Sequence, residues 1–172
     1  RCRGAVRILP VCTECVRAAR NSSDFLGSVR RATGILPRVV SGDEEARLSL
    51  KGVASVLPLH EGSVLVIDIG GGSTEIILMN YGTLIGTASM KIGVISLAEK
   101  HLCHDPPDGA VLAAMAQEIA KLLHAEPLLQ SVPHGQTLLA GTAGTATTLA
   151  AMDLCMRAYD PGAVNGHILT FP

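Results

Sequence analysis

Hydrophobic and polar positions follow two periodicities along this chain. Apolar residues at every third or fourth position predict helices, and short apolar runs bounded by glycine, proline or asparagine predict strands. Strands are predicted at 5–12, 37–41, 63–69, 75–80, 83–91 and 136–140. Helices are predicted at 13–19, 22–33, 41–57, 93–102, 106–123 and 146–158. The middle strands follow one another in hairpins while the outer ones alternate with helices, so we expect an α/β protein with a mixed sheet.

The segment that follows the apolar run 64–67 carries candidate chemistry. Asp68 ends this strand, and a carboxylate there is costly unless something pairs with it. A turn of glycines can approach a ligand closely, and its N–H groups can surround an anion together with nearby hydroxyls. The turn consists of Gly70, Gly71, Gly72 and Ser73, and the second carboxylate of Glu75 follows it. This pattern predicts binding of a metal-bound phosphate, and the alternative is a plain hairpin with two solvated acids.

A second glycine and threonine turn is predicted at 141–145. It also follows an apolar strand and leads into a helix, whose N-terminal N–H groups favour phosphate. Gly144 and Thr145 are its candidate ligands. Alone, this segment is equally consistent with a tight strand-to-helix turn. The two turns together could surround one anion.

Two further positions stand where they could complete a site. Glu44 and Glu45 lie in the first turn of the predicted helix at 41–57, and for one of them compensation of the helix dipole is a sufficient explanation. Arg17 lies one helical turn after Thr13. It is a candidate phosphate ligand, although a solvated side chain is the simpler interpretation.

Composition narrows the class of protein. The 172 residues suffice for one domain or parts of two, and 48% of them are hydrophobic. A net charge of −1 and four aromatic residues argue against a nucleic-acid partner. No apolar run approaches the roughly 20 residues of a membrane span, and no signal peptide is visible, so we expect no membrane partner. The use of cysteine, described next, predicts a cytoplasmic protein.

The five cysteines do not have the spacing of a disulfide framework. A zinc site formed by Cys12, Cys15, Cys103 and His104 is conceivable from their spacing. No second CxxC pair supports it, and cysteine is commonly a small buried hydrophobe. The cysteines therefore indicate a reducing compartment more than a metal site.

In this order the motifs resemble the exopolyphosphatase and guanosine pentaphosphate phosphatase family, within the actin-like superfamily. Asp-Ile-Gly-Gly-Gly-Ser-Thr-Glu at 68–75 together with Ser-Gly-Asp-Glu-Glu-Ala-Arg at 41–47 is highly specific. The remaining matching segments lie at 13–26, 91–94, 141–151 and 164–170.

The resemblance implies an actin-like (ribonuclease H-like) fold, with parts of two domains that face each other across a cleft. The end of the first domain would be 1–48 and the second would begin at 49 and continue to 172. The family's first strand, with its own phosphate loop, does not occur in this sequence, so the chain resembles a central fragment. The resemblance also allows a homodimer of the full-length protein.

The resemblance also implies roles for individual residues. Glu45 matches the catalytic base, Arg17 a phosphate-binding arginine, and Asp68 with Glu75 the acids that hold Mg²⁺. The phosphate loops would be formed by Gly70, Gly71, Gly72 and Ser73 and by Gly144 and Thr145.

These roles imply hydrolysis of a terminal phosphoric anhydride of inorganic polyphosphate, guanosine pentaphosphate or both, by metal-assisted attack of water. The alternatives are a nucleotide- or phosphate-binding regulatory module of the same superfamily that does not hydrolyse, or a kinase. Pure binding needs no base at Glu45, which favours hydrolysis. We expect the isolated chain to be inactive, with residues 1–41 loosely held.

Overall fold

The computed structural model describes residues 6–57 and 60–170. Two short strands form a parallel pair, and four longer strands form a mixed sheet in the order β5-β4-β3-β6. The strands are β1 (Val11–Cys12), β2 (Arg38–Val39), β3 (Ser63–Ile69), β4 (Thr74–Asn80), β5 (Thr83–Met90) and β6 (Thr137–Thr142). The helices are α1 (Glu14–Ala18), α2 (Ser22–Thr33), α3 (Gly42–Ala54), α4 (Val94–His101), α5 (Gly109–Ala125), α6 (Pro127–Gln130), α7 (Ala143–Asp153) and α8 (Pro161–Val164).

The larger sheet has the mixed topology that the sequence predicts. β4 is antiparallel to β3 and to β5, whereas β6 runs parallel to β3. Because β3 and β6 are parallel, their carboxyl ends lie at the same edge of the sheet. The glycine turn after β3 and the helix after β6 are therefore neighbours.

Helices cover both faces of this sheet. On one face Val64, Val66 and Ile77 pack with Ala46 and Val53 of α3. On the other face a second apolar cluster forms against α5 and α6; it contains Leu65, Ile76, Leu78, Ile119, Leu123 and Leu128. The middle strand β4 is consequently buried along nearly its whole length, as expected from its apolar run at 76–79.

The N-terminal elements bury fewer side chains than the mixed sheet does. The first strand is predicted at 5–12, but within the described residues only Val11 and Cys12 pair in a sheet, and Ala5 lies outside them. Neither α1 nor α2 contains a buried residue. The structure of this part therefore depends on local hydrogen bonds and on a few contacts with the glycine turn.

Three predictions about elements need correction. β6 continues through Gly141 and Thr142, and α7 begins at Ala143, so the turn predicted at 141–145 is the end of a strand and the first turn of a helix. The direction changes at Ala143, whose φ of 63° few non-glycine residues adopt. The helix predicted at 106–123 begins only at Gly109, where the Asp108 side chain accepts from the Val111 N–H at 2.8 Å. The segment 159–166 is predicted as a loop but contains the short helix α8, and α6 lies where no element is predicted.

The domain boundary predicted between residues 48 and 49 falls within α3, which is continuous across it. The assignment of 1–48 and 49–172 to two domains stays a prediction. Among the helices of residues 6–57 and 60–170, none has the length and apolar composition needed to cross a membrane.

Candidate active site

Two carboxylates face each other at the end of the mixed sheet. Asp68 of β3 and Glu75 of β4 are direct partners in the antiparallel ladder. Directly opposed residues in such a ladder project from the same face, and the intervening turn reverses the chain. The seven-residue spacing therefore brings the two acids together, as the sequence predicts. The same row continues to Ser89 of β5 and Thr142 of β6.

Each of these carboxylates accepts a hydrogen bond from a serine. The Ser49 hydroxyl of α3 donates to Asp68 Oδ2, and the Ser89 hydroxyl donates to Glu75 Oε1 at 2.9 Å. Glu75 is only 1% exposed, so its bond to Ser89 offsets part of the cost of desolvation. Within the described residues, neither Asp68 Oδ1 nor Glu75 Oε2 accepts a hydrogen bond.

Glu45 lies over this pair, on the N-terminal half of α3. The helix begins at the cap formed by Ser41, whose hydroxyl accepts from the Glu44 N–H at 3.2 Å. The Glu45 side chain is 18% exposed. Burial raises its pKa, as do the negative charges of Glu75 and Asp68, whereas Arg17 opposes the rise. A carboxyl group with a raised pKa is a better proton acceptor once ionised, which suits a general base.

The adjacent Glu44 has a different role. Its carboxylate forms a two-pronged ion pair with Arg38, with distances of 2.5 and 2.6 Å, and this hydrogen bonding lowers the pKa of Glu44. The pair is exposed to solvent. Of the two glutamates, Glu44 is thus the one explained by charge compensation.

Arg17 is held in place by protein groups and is not simply solvated. Its Nε donates to Glu14 Oε2 at 2.9 Å, and its Nη1 donates to the Val40 carbonyl at 2.6 Å. The same Nη1 lies 3.4 Å from Glu45 Oε2. A fixed guanidinium beside the candidate base can bind an anionic substrate next to Glu45.

The glycine turn is fixed through its carbonyl groups. The N–H groups of Val94, Ile95 and Ser96, at the start of α4, donate to the carbonyls of Gly70 and Gly71 at 2.9 to 3.1 Å. The Gly70 N–H closes the turn onto the Ser73 carbonyl at 2.9 Å.

The N–H groups of the same turn remain available for an anion. Among described residues, the N–H groups of Gly71, Gly72 and Ser73 have no acceptor. A Cβ atom on Gly72 would lie 3.4 Å from Cγ of Glu14, so the turn lies against α1, the helix of Arg17. This arrangement fits an anion cradle beside the candidate base.

Gly93 belongs to the matching segment 91–94, but the sequence does not indicate how this residue contributes to the site. A Cβ atom at Gly93 would collide with backbone atoms of Gly71 and Gly72. Only glycine at this position allows α4 to approach the turn and bind its carbonyls. The sequence pattern does not indicate Ser49 either, because its role depends on how α3 packs on the sheet.

We expect Gly93→Ala to displace the glycine turn. The obstacle is backbone, which cannot rotate away, so the substitution should cost about 3 kcal/mol of stability and weaken binding of an anion at the turn at least tenfold. Thermal unfolding and titration with inorganic phosphate measure the two effects. Gly52→Ala is the matched control, because a Cβ atom there meets nothing within 4 Å. A Gly93→Ala protein with unchanged phosphate affinity would contradict the role given to α4.

The second predicted loop lies next to the first. The Thr145 hydroxyl of α7 donates to the Ile69 carbonyl at 3.2 Å, just before the glycine turn. A groove of about 540 Å³ separates the turn and α4 from the first turns of α7; its lining includes Gly70, Gly71, Ile95, Gly144, Thr145 and Leu149. The predicted proximity of the two loops is confirmed, while ligand binding by Gly144 and Thr145 stays a prediction.

The side chains that could bind a metal ion in this structure suit Mg²⁺ better than zinc. In the part of the chain that the structure describes, no three His, Cys, Asp or Glu side chains converge on one point, so the residues named for zinc do not assemble there. Asp68 and Glu75 offer two facing carboxylates, each with one oxygen that accepts no hydrogen bond from the described part of the chain. Mg²⁺ is typically bound by one or two carboxylates together with substrate phosphates, so these two residues fit that ion.

Comparison with known proteins connects this geometry to one group of enzymes. Residues 3–168 match the model of the Ppx/GppA phosphatase family. The chain is 34% identical over 169 residues to Exopolyphosphatase 2 of Mycobacterium tuberculosis, covering 94% of this chain and 51% of that protein. It is 39% identical over 95 residues to guanosine-5'-triphosphate,3'-diphosphate pyrophosphatase of Pseudoalteromonas atlantica, covering 55% of this chain and 19% of that protein.

Solved structures agree. The Ppx/GppA family member of Aquifex aeolicus aligns with a TM-score of 0.70 at 34% identity, covering 95% of this chain and 51% of that one. An exopolyphosphatase of Cytophaga hutchinsonii aligns with a TM-score of 0.79 at 28% identity, covering 89% and 49%. The actin-like α/β fold that the sequence predicts is thereby confirmed. The chain spans about half the length of Exopolyphosphatase 2 of Mycobacterium tuberculosis and of these two structures.

Proposed function

Because this chain belongs to the Ppx/GppA phosphatase family, we propose that it forms part of an enzyme that hydrolyses terminal phosphoric anhydride bonds. Two relatives are named for hydrolysis of polyphosphate and of a guanosine polyphosphate. Both kinds of substrate end in the same bond. We therefore propose inorganic polyphosphate, guanosine pentaphosphate or both as the substrate, in a cytoplasmic enzyme.

One observation supports this proposal most directly. A glutamate with a raised pKa, Glu45, lies beside Arg17 and over the pair formed by Asp68 and Glu75. The glycine turn, three of whose N–H groups have no acceptor among the residues that the structure describes, lies at the end of the same two strands. A protein that only binds nucleotides needs the turn but has no use for a base beside it.

In the proposed reaction, each group of residues in this chain has a separate role. Glu45 orients a water molecule within about 3 Å and accepts its proton. Arg17 and the N–H groups of Gly71, Gly72 and Ser73 bind the oxygens of the terminal phosphate and stabilise the charge that develops on them. Gly144 and Thr145 bind the substrate from the other side of the groove.

The proposal includes Mg²⁺ held by Asp68 and Glu75. When bound there, the ion would neutralise charge on the phosphates. The two carboxylates are prepared for such a ligand by the serines that fix one oxygen of each. Without a cation, the two facing carboxylates repel each other. This repulsion is a reason to expect a positively charged ion beside them.

We expect Asp68→Asn and Glu75→Gln to raise the magnesium concentration needed for half-maximal phosphate release by tenfold or more. Each substitution keeps the shape of the side chain and removes the charge that attracts the ion. The measurement is a magnesium titration of phosphate release by the full-length protein, with polyphosphate and guanosine pentaphosphate assayed separately. Glu61→Gln is the control, since this exposed glutamate lies beside His60 and precedes the opposite end of β3. Unchanged titrations in both site variants would remove the metal role.

A further inference from the structure

Ser49 connects the helix of the candidate base with the strand of a candidate metal ligand. Glu45 and Ser49 lie four residues apart on α3, and therefore on the same face of the helix. The Ser49 hydroxyl donates to Asp68 Oδ2 on β3. Ser49 is half-buried, so this bond is less exposed to competition from water than a bond at the surface.

Other contacts keep the N-terminal end of α3 close to the sheet. A Cβ atom at Gly42 would come within 2.8 Å of Cβ of Ser89, so the helix approaches β5 as closely as glycine permits. The Thr87 hydroxyl donates to Asp43 Oδ1 at 2.7 Å. With both of these contacts at the first turn of α3, the bond from Ser49 is the one that reaches Asp68 from the second turn.

The carboxylates of Asp68 and Glu75 differ in the packing and hydrogen bonds that hold them. Glu75 is buried by its surroundings and also accepts from Ser89. Asp68 is half-buried and, within the described residues, accepts a side-chain hydrogen bond from Ser49 alone. Loss of the Ser49 hydroxyl would therefore leave Asp68 free to rotate, whereas loss of the Ser89 hydroxyl leaves Glu75 confined by packing.

We propose that Ser49 is a positioning residue: its hydroxyl fixes the carboxylate of Asp68 so that the other oxygen, Oδ1, is presented to a divalent cation. This inference rests on the proposed function, since it assumes that Asp68 binds the ion. Partners that hold a ligand from the second coordination shell typically change metal affinity about 10- to 100-fold when removed. Ser49 acts through Asp68 and needs no contact with substrate.

The test measures binding of Mn²⁺ alone, as a paramagnetic substitute for Mg²⁺, to the full-length protein by electron paramagnetic resonance. Ser49→Ala should weaken Mn²⁺ binding at least tenfold, and Ser49→Thr, which keeps the hydroxyl, should restore most of it. Ser55→Ala is the matched control just past the end of the same helix, because among the described residues that hydroxyl bonds only to the Gly52 carbonyl of α3. We expect this control to bind Mn²⁺ as the unmodified protein does.

A double variant separates positioning from general stability. If Ser49 acts only through Asp68, adding Ser49→Ala to Asp68→Asn should cause less than a twofold further loss of Mn²⁺ affinity. A structural role would weaken binding in both backgrounds and lower the unfolding temperature, which Ser49→Ala should leave within a few degrees.

The two possible failures are distinguishable. If Asp68→Asn weakens Mn²⁺ binding and Ser49→Ala does not, the inference about Ser49 is wrong and the proposed function stands. If Asp68→Asn itself leaves Mn²⁺ binding unchanged, the metal role of Asp68 is overturned, and the role of Ser49 with it.

Discussion

Glu45→Gln in the full-length protein is expected to reduce turnover by about 10²- to 10⁴-fold, the usual contribution of a general base, while substrate affinity changes only a few-fold. Glutamine fills the same space on α3 and can still accept a hydrogen bond from Arg17. It cannot accept a proton from water. Loss of kcat with nearly unchanged binding is the result expected when a group acts mainly in the transition state.

The adjacent glutamate provides a matched control. Glu44→Gln removes the same charge from the same turn of α3, but Glu44 is paired with Arg38 at the surface. Its turnover should stay within about twofold, because an ion pair this exposed to solvent contributes little to stability. The measurement is initial phosphate release at saturating substrate and magnesium. If Glu45→Gln keeps most of its rate, or if both variants lose activity equally, Glu45 is not the base.

The raised pKa of Glu45 predicts how enzymatic activity depends on pH. Burial and the charges of Glu75 and Asp68 raise this pKa above the ordinary value for glutamate. The base works only when ionised, so activity should fall as the pH decreases through the raised pKa, at a higher pH than for an ordinary glutamate. Arg17 lowers the pKa of Glu45, and Arg17→Gln should move the acid limb of the profile for kcat/KM to higher pH. The acid limb should be absent from the residual activity of Glu45→Gln.

The sequence predicts the region 63–90 well because its determinants are local. Apolar runs, a glycine turn and the Asn80 to Gly82 turn are enough to define two hairpins, and the short turn sets Asp68 opposite Glu75. The two acids and the turn can therefore be located from the local pattern. The role proposed for Glu45 comes instead from the family resemblance, and its proximity to the acids depends on how α3 packs on the sheet.

The remaining features depend on contacts between segments distant in sequence. The contact between Ser49 and Asp68 joins a helix to a strand, and nothing in the pattern around Ser49 indicates it. Gly93 has an ordinary extended conformation, with φ of −146°, and its importance comes from the backbone of another segment. The early start of α7 depends on a non-glycine residue, Ala143, in a conformation that sequence rules assign to glycine.

The 172-residue chain by itself is expected to release no phosphate above background, even when folded. The expectation is made relative to family members, which are about twice as long as this chain. In this chain the groups proposed to contact the anion are the glycine turn, Arg17 and the first turn of α7. Enclosure of a substrate in a closed cleft typically contributes several kcal/mol through positioning, about 7 to 11 kcal/mol in the best cases, and the open groove between the turn and α7 provides little enclosure. Purified chain and full-length protein should be assayed side by side at equal concentration, with polyphosphate and magnesium.

Hydrogen exchange shows whether inactivity reflects an open site or an unfolded chain. β3 and β4 are buried and paired on both sides, so their amides should exchange slowly. The short strand pair and α1 and α2 bury almost no side chain, so amides at 11–39 should exchange faster by at least tenfold. This result would also explain low activity, because Arg17 and the approach of α1 to Gly72 belong to that part. Phosphate release within tenfold of the full-length rate would instead mean that the groups present in this chain are sufficient for the reaction.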